Sequence, residues 1–580
     1  MADNQIKYEC QNAMYFKSKV NYGDDIVLVK EKQHHPDGSI IPYLRVIKNF
    51  QKPIYIHKPA YRTYQDKRVW GKKSEMDVYY STEAKLGDTI KRALGLSLNR
   101  YMPMREICRS PYVYGTDISS TSIIKKRYKD KYPDAISDAT VAVLDIETNV
   151  MSPQQEIIAI TLSFGEKAIL ATTKDFIGST PDPVRRFFEK LDELLPEIRK
   201  PYEYKTYLDK KGKEVKERLN RNCNVEFVIA ETPALAVMEV FKRAHQWKPD
   251  FITGWNLMGF DIPRIVDCLM NEGYHPEDVF SDPSIPREYR EYKYHKGATQ
   301  KKTSSGKMTP LAGYEQWHWV SVPASFFFID AMCTFFSIRR GSGLEENYKL
   351  DTILNKYIGR GKVGIPEADH LDGVNKHKFM QTRYKLEYLV YNLFDCVGVE
   401  MLDEKTKDLS KVFSVLAGVS DFGNFNSNPT RLCDALSFYV QEDKEFDGVL
   451  GTVSDQMSSE LDEKVPSLSG WIVALATERL IEAGLKNVIE IPDLVTKFRA
   501  QSADIDISSS YPNGEITMNI SKDTTVHELT MIEGLTTDEQ RVVGLNMLGG
   551  KTNSLEFATK VYKLPHPIEA YRKYKETRFN

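Results

Sequence analysis

Four carboxylates are set apart by their neighbours: Asp145 and Glu147 in VAVLDIETN, Asp261 in GWNLMGFDIP, and Asp395 in YNLFDCVGVE. The first pair closes an apolar run, Val141 to Leu144, that reads as a buried strand. Residues two apart on a strand share a face, so Asp145 and Glu147 project to the same side. Tyr391 precedes Asp395 by one helical turn, which places phenol and carboxylate on one helix face. Oxygen-only ligands suit hard divalent cations, magnesium or manganese, and carboxylates from distant segments can together hold two of them. Two ions on one phosphodiester activate a water and stabilise the leaving oxygen, which is nuclease chemistry.

An Asp-x-Glu triplet by itself arises by chance in a chain this long, so the surroundings of the other carboxylates decide its meaning. Asp145-Ile146-Glu147, then Asn256 through Phe260-Asp261, then Tyr391 through Asp395 resemble the three motifs of the DnaQ-like 3′–5′ exonuclease of family B DNA polymerases, in order and in approximate spacing. The resemblance implies an α/β, ribonuclease-H-like exonuclease fold with two Mg2+ (or Mn2+) ions. It makes Asp145, Glu147 and Asp395 direct metal ligands and Asp261 a ligand of the second ion, directly or through water. Tyr391 would hold the nucleophilic water, and Asn256 and Phe260 would line the cleft for a frayed DNA 3′ end. Phe328-Ile329-Asp330 and Tyr348-Lys349-Leu350-Asp351 resemble the connecting strand and helix of the enzymes of large tailed bacteriophages.

Asp506-Ile507-Ser508-Ser509-Ser510-Tyr511-Pro512-Asn513 resembles the first polymerase motif of the same family, with Ser510 and Asn513 as departures. The resemblance implies that Asp506 binds catalytic metal in the palm, that Ser509 faces the triphosphate, and that Tyr511 packs under the sugar. Ser469-Gly470-Trp471-Ile472-Val473 is similar to the entry to that palm. Neither a fingers motif nor an Asp-Thr-Asp hairpin occurs between Asn513 and Asn580; Lys551 to Glu556 shares only Asn-Ser-Leu with the fingers helix. The expectation is therefore the amino-terminal half of a split or truncated polymerase. A second polypeptide would supply fingers, remaining palm and thumb, with a sliding clamp as a further partner. A stand-alone exonuclease with a vestigial palm, or a non-catalytic replisome scaffold, are the alternatives.

Three other matches lack the context their chemistry requires. Tyr22-Gly23-Asp24-Asp25 sits between strand-like runs and reads as a hairpin turn. Gly359 to Gly364 has the letters of a dinucleotide fingerprint but no strand-to-helix turn, and reads as a flexible basic loop. Gly544 to Thr552 is one residue too long for a phosphate loop.

The elements that must position these residues follow from pattern. A mixed amino-terminal domain, 1–140, carries hairpin runs at Ile26–Val29 and Tyr43–Ile47; Ser137 to Thr140 is a short polar hinge. The exonuclease domain is 141–405, in which Thr232-Pro233 caps a helix and Phe251-Ile252-Thr253 forms the strand leading to Asn256. A polar stretch at 296–312 is expected to be a mobile loop. A connector, 406–465, with a helix at Pro429–Val440, precedes the start of the palm, 466–580, whose tail has helix-like apolar spacing at Val542, Leu545, Met547 and Leu548.

The chain has 580 residues and a net charge of −2, so any attraction to nucleic acid must come from local patches. Lys125-Lys126-Arg127 and Arg287 to Lys302, where Tyr interleaves with Lys and Arg, are the groove candidates. No run approaches a transmembrane span, the start carries no signal-peptide pattern, and seven cysteines form no Cys-x-x-Cys pair, which points to a cytoplasmic protein with no membrane partner; the resemblance to phage enzymes implies that the cytoplasm is that of an infected bacterial cell.

Overall fold

The computed structural model describes residues 5–410, except 66, 69, 100, 109, 117, 209–213, 303–306, 341–342, 369 and 372, and beyond them 447–450, 488–490, 497–499, 525–529 and 543–547. The chain divides into two compact units, Met1–Pro466 and Ser467–Asn580, and its described part is mixed α/β.

The first unit is centred on a six-stranded sheet. Its strands are β1 (Val141–Thr148), β2 (Ile157–Phe164), β3 (Lys167–Thr173), β4 (Asn224–Ala230), β5 (Phe251–Gly254) and β6 (Phe327–Asp330). They lie in the order β4-β3-β2-β1-β5-β6. β2 runs antiparallel to β1 and β3, whereas β1, β5 and β6 are parallel to one another and β4 is parallel to β3. β2 reads IIAITLSF and is buried almost throughout, as a central strand covered on both faces must be.

Helices cover each face. On one side α1 (Pro233–Trp247) and α2 (Ile262–Asn271) pack over Ala142, Leu144, Ile146, Ile160 and Leu162. The Thr232 hydroxyl accepts from the Leu235 amide, and Pro233 occupies the first turn, so α1 begins where the sequence places it. On the other side lie α3 (Leu350–Ile358), α4 (Gly373–Arg383) and α5 (Lys385–Thr406), over Val143, Ala159 and Leu170. α5 is buried along most of its 22 residues. Since Val143 faces α5, the period of two sends Asp145 and Glu147 to the same face.

The amino-terminal part contributes an antiparallel sheet of Lys7–Lys17, Asp25–His34 and Ile40–Lys48, which contains both predicted hairpin runs. Ser137 to Thr140 is no hinge: it is stapled in place. Ser137 donates to Glu9 at 2.7 Å, the Asp138 carbonyl accepts from Lys32 at 2.8 Å, and Asp250 accepts from the Thr140 amide at 2.7 Å. Asp250 also lies 2.8 Å from Lys32 and 3.7 Å from Lys30, all three being buried, so ion pairs fasten this sheet to the start of β1 and β5.

Two further expectations are corrected. Part of the stretch 296–312 is ordered, as a ladder of Gln300–Lys302 with Met308–Pro310. In the second unit, Val543–Met547 is a strand paired with Thr525–Leu529 instead of a helix. Val543, Leu545 and Met547 alternate at period two, and this pattern prevails over the helical spacing. A second ladder there joins Val488–Glu490 to Lys497–Arg499. The palm motif with Asp506, Ser509 and Tyr511, the Ser469–Val473 entry, the Pro429–Val440 helix and Lys551–Glu556 lie outside the described residues.

Candidate metal centre

Asp145 and Glu147 leave β1 toward α5, and Asp395 meets them from the middle of that helix. One carboxylate oxygen from each lies within 4.8 Å of the others. Asp261 enters from the turn after β5, where its Oδ1 accepts from the Ile146 amide at 3.1 Å, between the two acidic residues of β1. The four carboxylates singled out in the sequence therefore converge.

The turn that delivers Asp261 is built for close approach. A Cβ on Gly254 would stand 2.4 Å from the Leu144 carbonyl, so the backbone of β5 can press against β1 there only as glycine. Asn256 takes a left-handed conformation, φ 69°, to open a single π-helical turn, Leu257–Asp261. Asp330 at the end of β6 holds that turn by accepting from the Met258 amide at 3.1 Å. Phe260 projects outward, 38% exposed, with the Arg264 guanidinium 5.8 Å from its ring centroid.

Several groups that the sequence reading did not single out complete the arrangement. Asn392 is fully buried and donates to Asp145 Oδ2 at 2.7 Å, while its own Oδ1 accepts from Thr161 at 2.5 Å. The Tyr388 hydroxyl donates to Glu147 Oε2 and lies 2.8 Å from His377 Nδ1. Tyr388 and Tyr391 stack with 3° between their planes. Lys362 donates to the Tyr391 hydroxyl at 2.8 Å and to Asp395 Oδ2 at 2.5 Å. Its loop, expected to be flexible and basic, is anchored: the Lys362 amide donates to Asp351 at 2.7 Å, and a Cβ on Gly361 would come within 2.6 Å of that same carboxylate. The bracketing glycines were the only local signal for Lys362, and they pointed equally to a loose loop.

The electrostatics are those of crowded, buried carboxylates that attract a cation. Burial raises Asp145 well above the ordinary carboxylate range, and Asp261, Asp395 and Glu147 raise it further against the opposing charge of Lys362. Burial lifts Glu147 to about 8 in spite of the Tyr388 hydrogen bond. Burial also raises Asp261, and it raises Asp395 against the pull of Lys362. Burial alone would lower the Lys362 ammonium, but Asp395 and Tyr391 outweigh it and hold the group firmly charged. Asp395 Oδ1 is buried with no hydrogen-bond partner. An all-oxygen cluster containing such an orphan fits a hard divalent cation, so the buried triad Asp145, Glu147 and Asp395 could bind a metal.

Several of the candidate groove charges are buried or have carboxylate partners. Lys125 is buried and Lys126 pairs with Asp130. Arg287 and Arg290 share Asp278, Lys293 pairs with Glu291, and Lys301 with Glu315. Among the described residues, no helix is long and apolar enough to cross a membrane. No protein-family model and no curated protein matches the chain.

Proposed function

We propose that this chain is the 3′–5′ exonuclease part of a family B DNA polymerase, removing the terminal nucleotide of a DNA 3′ end by two-metal hydrolysis. The observation that carries the reading is the convergence of Asp145, Glu147, Asp261 and Asp395, with the Asp395 Oδ1 orphan, on one face of the sheet. The strand order supports a ribonuclease-H-like fold: leaving the outer β4 aside, it is 3-2-1 followed by two parallel strands, with only the second strand reversed. Mg2+ or Mn2+, when bound, would supply a nucleophile at neutral pH and stabilise charge on the leaving 3′ oxygen.

The side chains divide the remaining work. Asp145, Glu147 and Asp395 hold the cations, and Asn392 and Tyr388 fix the first two carboxylates in orientation. The Lys362 ammonium donates to the Tyr391 oxygen, which leaves the phenolic proton free to hold a water in line with the scissile phosphorus. The exposed ring of Phe260 stacks on a terminal base, and Asn256 lies at the entrance of the same turn. Asp506, Ser509 and Tyr511 would belong to the palm of the same polymerase. A single strand labelled at its 5′ end tests the polarity: stepwise shortening from the 3′ end, dependent on Mg2+, is expected. Release of the label as a mononucleotide in the first turnovers would refute the reading.

A further inference from the structure

A second cluster of cations and rings lies in the amino-terminal region. Between Lys52 and Lys73 the sequence holds seven Lys or Arg residues and one acidic residue. Lys52 at the start of this run pairs with Glu83, but Lys58, Arg62 and Arg68 rest on rings and carbonyls. The Arg68 guanidinium sits 3.9 Å from the Tyr64 ring centroid and that of Arg62 5.8 Å from the Tyr112 ring. The Arg62 Nε donates to the His57 carbonyl, and Lys58 donates to the Ser74 carbonyl at 2.9 Å. Among the described residues, no carboxylate pairs with Lys58, Arg62, Arg68 or Lys72.

The platform beneath them is a hydrogen-bonded cluster of rings. Tyr64 OH lies 2.7 Å from His57 Nδ1 and 3.1 Å from the Tyr114 hydroxyl, and its ring meets Tyr112 edge-on. Gly71 lets the adjoining strand, Trp70–Lys72, lie flat on this platform, because a Cβ there would come within 2.8 Å of the His57 ring. Tyr61 is 44% exposed and Trp70 40% exposed.

Guanidinium groups that no carboxylate neutralises, alternating with exposed rings, have the chemistry of a single-strand track: phosphates meet the cations while splayed bases stack. A protein partner would require acidic side chains in the same spacing but would leave the rings without stacking partners. We infer that Tyr61, Arg62, Arg68 and Trp70, with Lys58 and Lys72, form a binding surface for single-stranded nucleic acid separate from the metal centre.

The test uses the full chain in EDTA, so that no strand is cleaved, with a fluorescent oligothymidylate titrated at several salt concentrations. Trp70→Ala is expected to weaken binding at least roughly fivefold through lost stacking. Arg62→Ala with Arg68→Ala is expected to reduce the salt slope by about 1.4. Arg68→Glu, at an exposed side chain whose ring contact is with Tyr64, guards against misfolding and should weaken binding with the melting temperature changed little. Unaltered affinity and slope in these variants would overturn the inference, as would an equal loss for a blunt duplex. Mg2+-dependent hydrolysis of a trinucleotide, too short to span a second site, should be unaffected by all of them. If the wild-type chain fails to cleave the trinucleotide, the exonuclease reading fails while the binding surface is judged by the oligothymidylate alone.

Discussion

Glu147 offers a prediction in which loss of function brings a gain in stability. In the absence of cation its carboxyl binds a proton more tightly in the folded chain than in the unfolded one, at about 8 against 4.5. The folded state therefore carries the extra proton between those values, and stability is lost as pH rises through them. A gap of about three and a half pH units corresponds to roughly 5 kcal/mol at most, and sharing the titration with Asp145, Asp261 and Asp395 reduces Glu147's own part to roughly 2–5 kcal/mol. Glu147→Gln removes the charge but keeps an oxygen that can accept from Tyr388. Thermal unfolding in EDTA should show the variant several degrees more stable than wild type at pH 8, with the difference shrinking toward pH 5. Adding Mg2+ should close the gap by stabilising the wild type alone. A variant no more stable than wild type at pH 8 in EDTA, or a difference that does not change with pH, would refute this account of the repulsion.

Two other perturbations follow from the same contacts. Lys362→Met removes the ammonium from Tyr391 and Asp395; single-turnover hydrolysis should slow by about 10²-fold or more while oligonucleotide affinity measured in EDTA changes little. Asp250→Ala leaves Lys30 and Lys32 buried without their carboxylate; denaturant unfolding should show a loss of roughly 3–5 kcal/mol, and Asp250→Asn should lose less because it can still accept from Thr140.

Legibility in the sequence followed the range of the interactions. The β1 strand, the capped start of α1, the strand ahead of Asn256 and the shared helix of Tyr391 and Asp395 were readable because apolar period and capping are local signals. The joining of Asp145, Glu147, Asp261 and Asp395 was expected from motif order and is visible as geometry. The supporting groups were not readable. Asn392 and Tyr388 matter because α5 crosses the face of β1, a relation that no local pattern encodes. Lys362 looked like loop charge because its partners, Asp351 before it and Asp395 after it, are distant in sequence. The pairing of the basic runs at 125–127 and 287–302 was unreadable for a similar reason: which carboxylates fold against a cation, here Asp278 and Glu315, is not a local signal.

On the proposed function, the four converging carboxylates hold the cations that hydrolyse the 3′-terminal phosphodiester. Single-turnover cleavage of a single-stranded DNA in Mg2+ should be compared for wild type and for Asp145→Ala, Glu147→Gln, Asp261→Ala and Asp395→Ala, each with its oligonucleotide affinity measured in EDTA. Rates falling by about 10³-fold or more in all four, with affinity retained, are what the account predicts. Full cleavage by the Asp145→Ala or Asp395→Ala chain would contradict it.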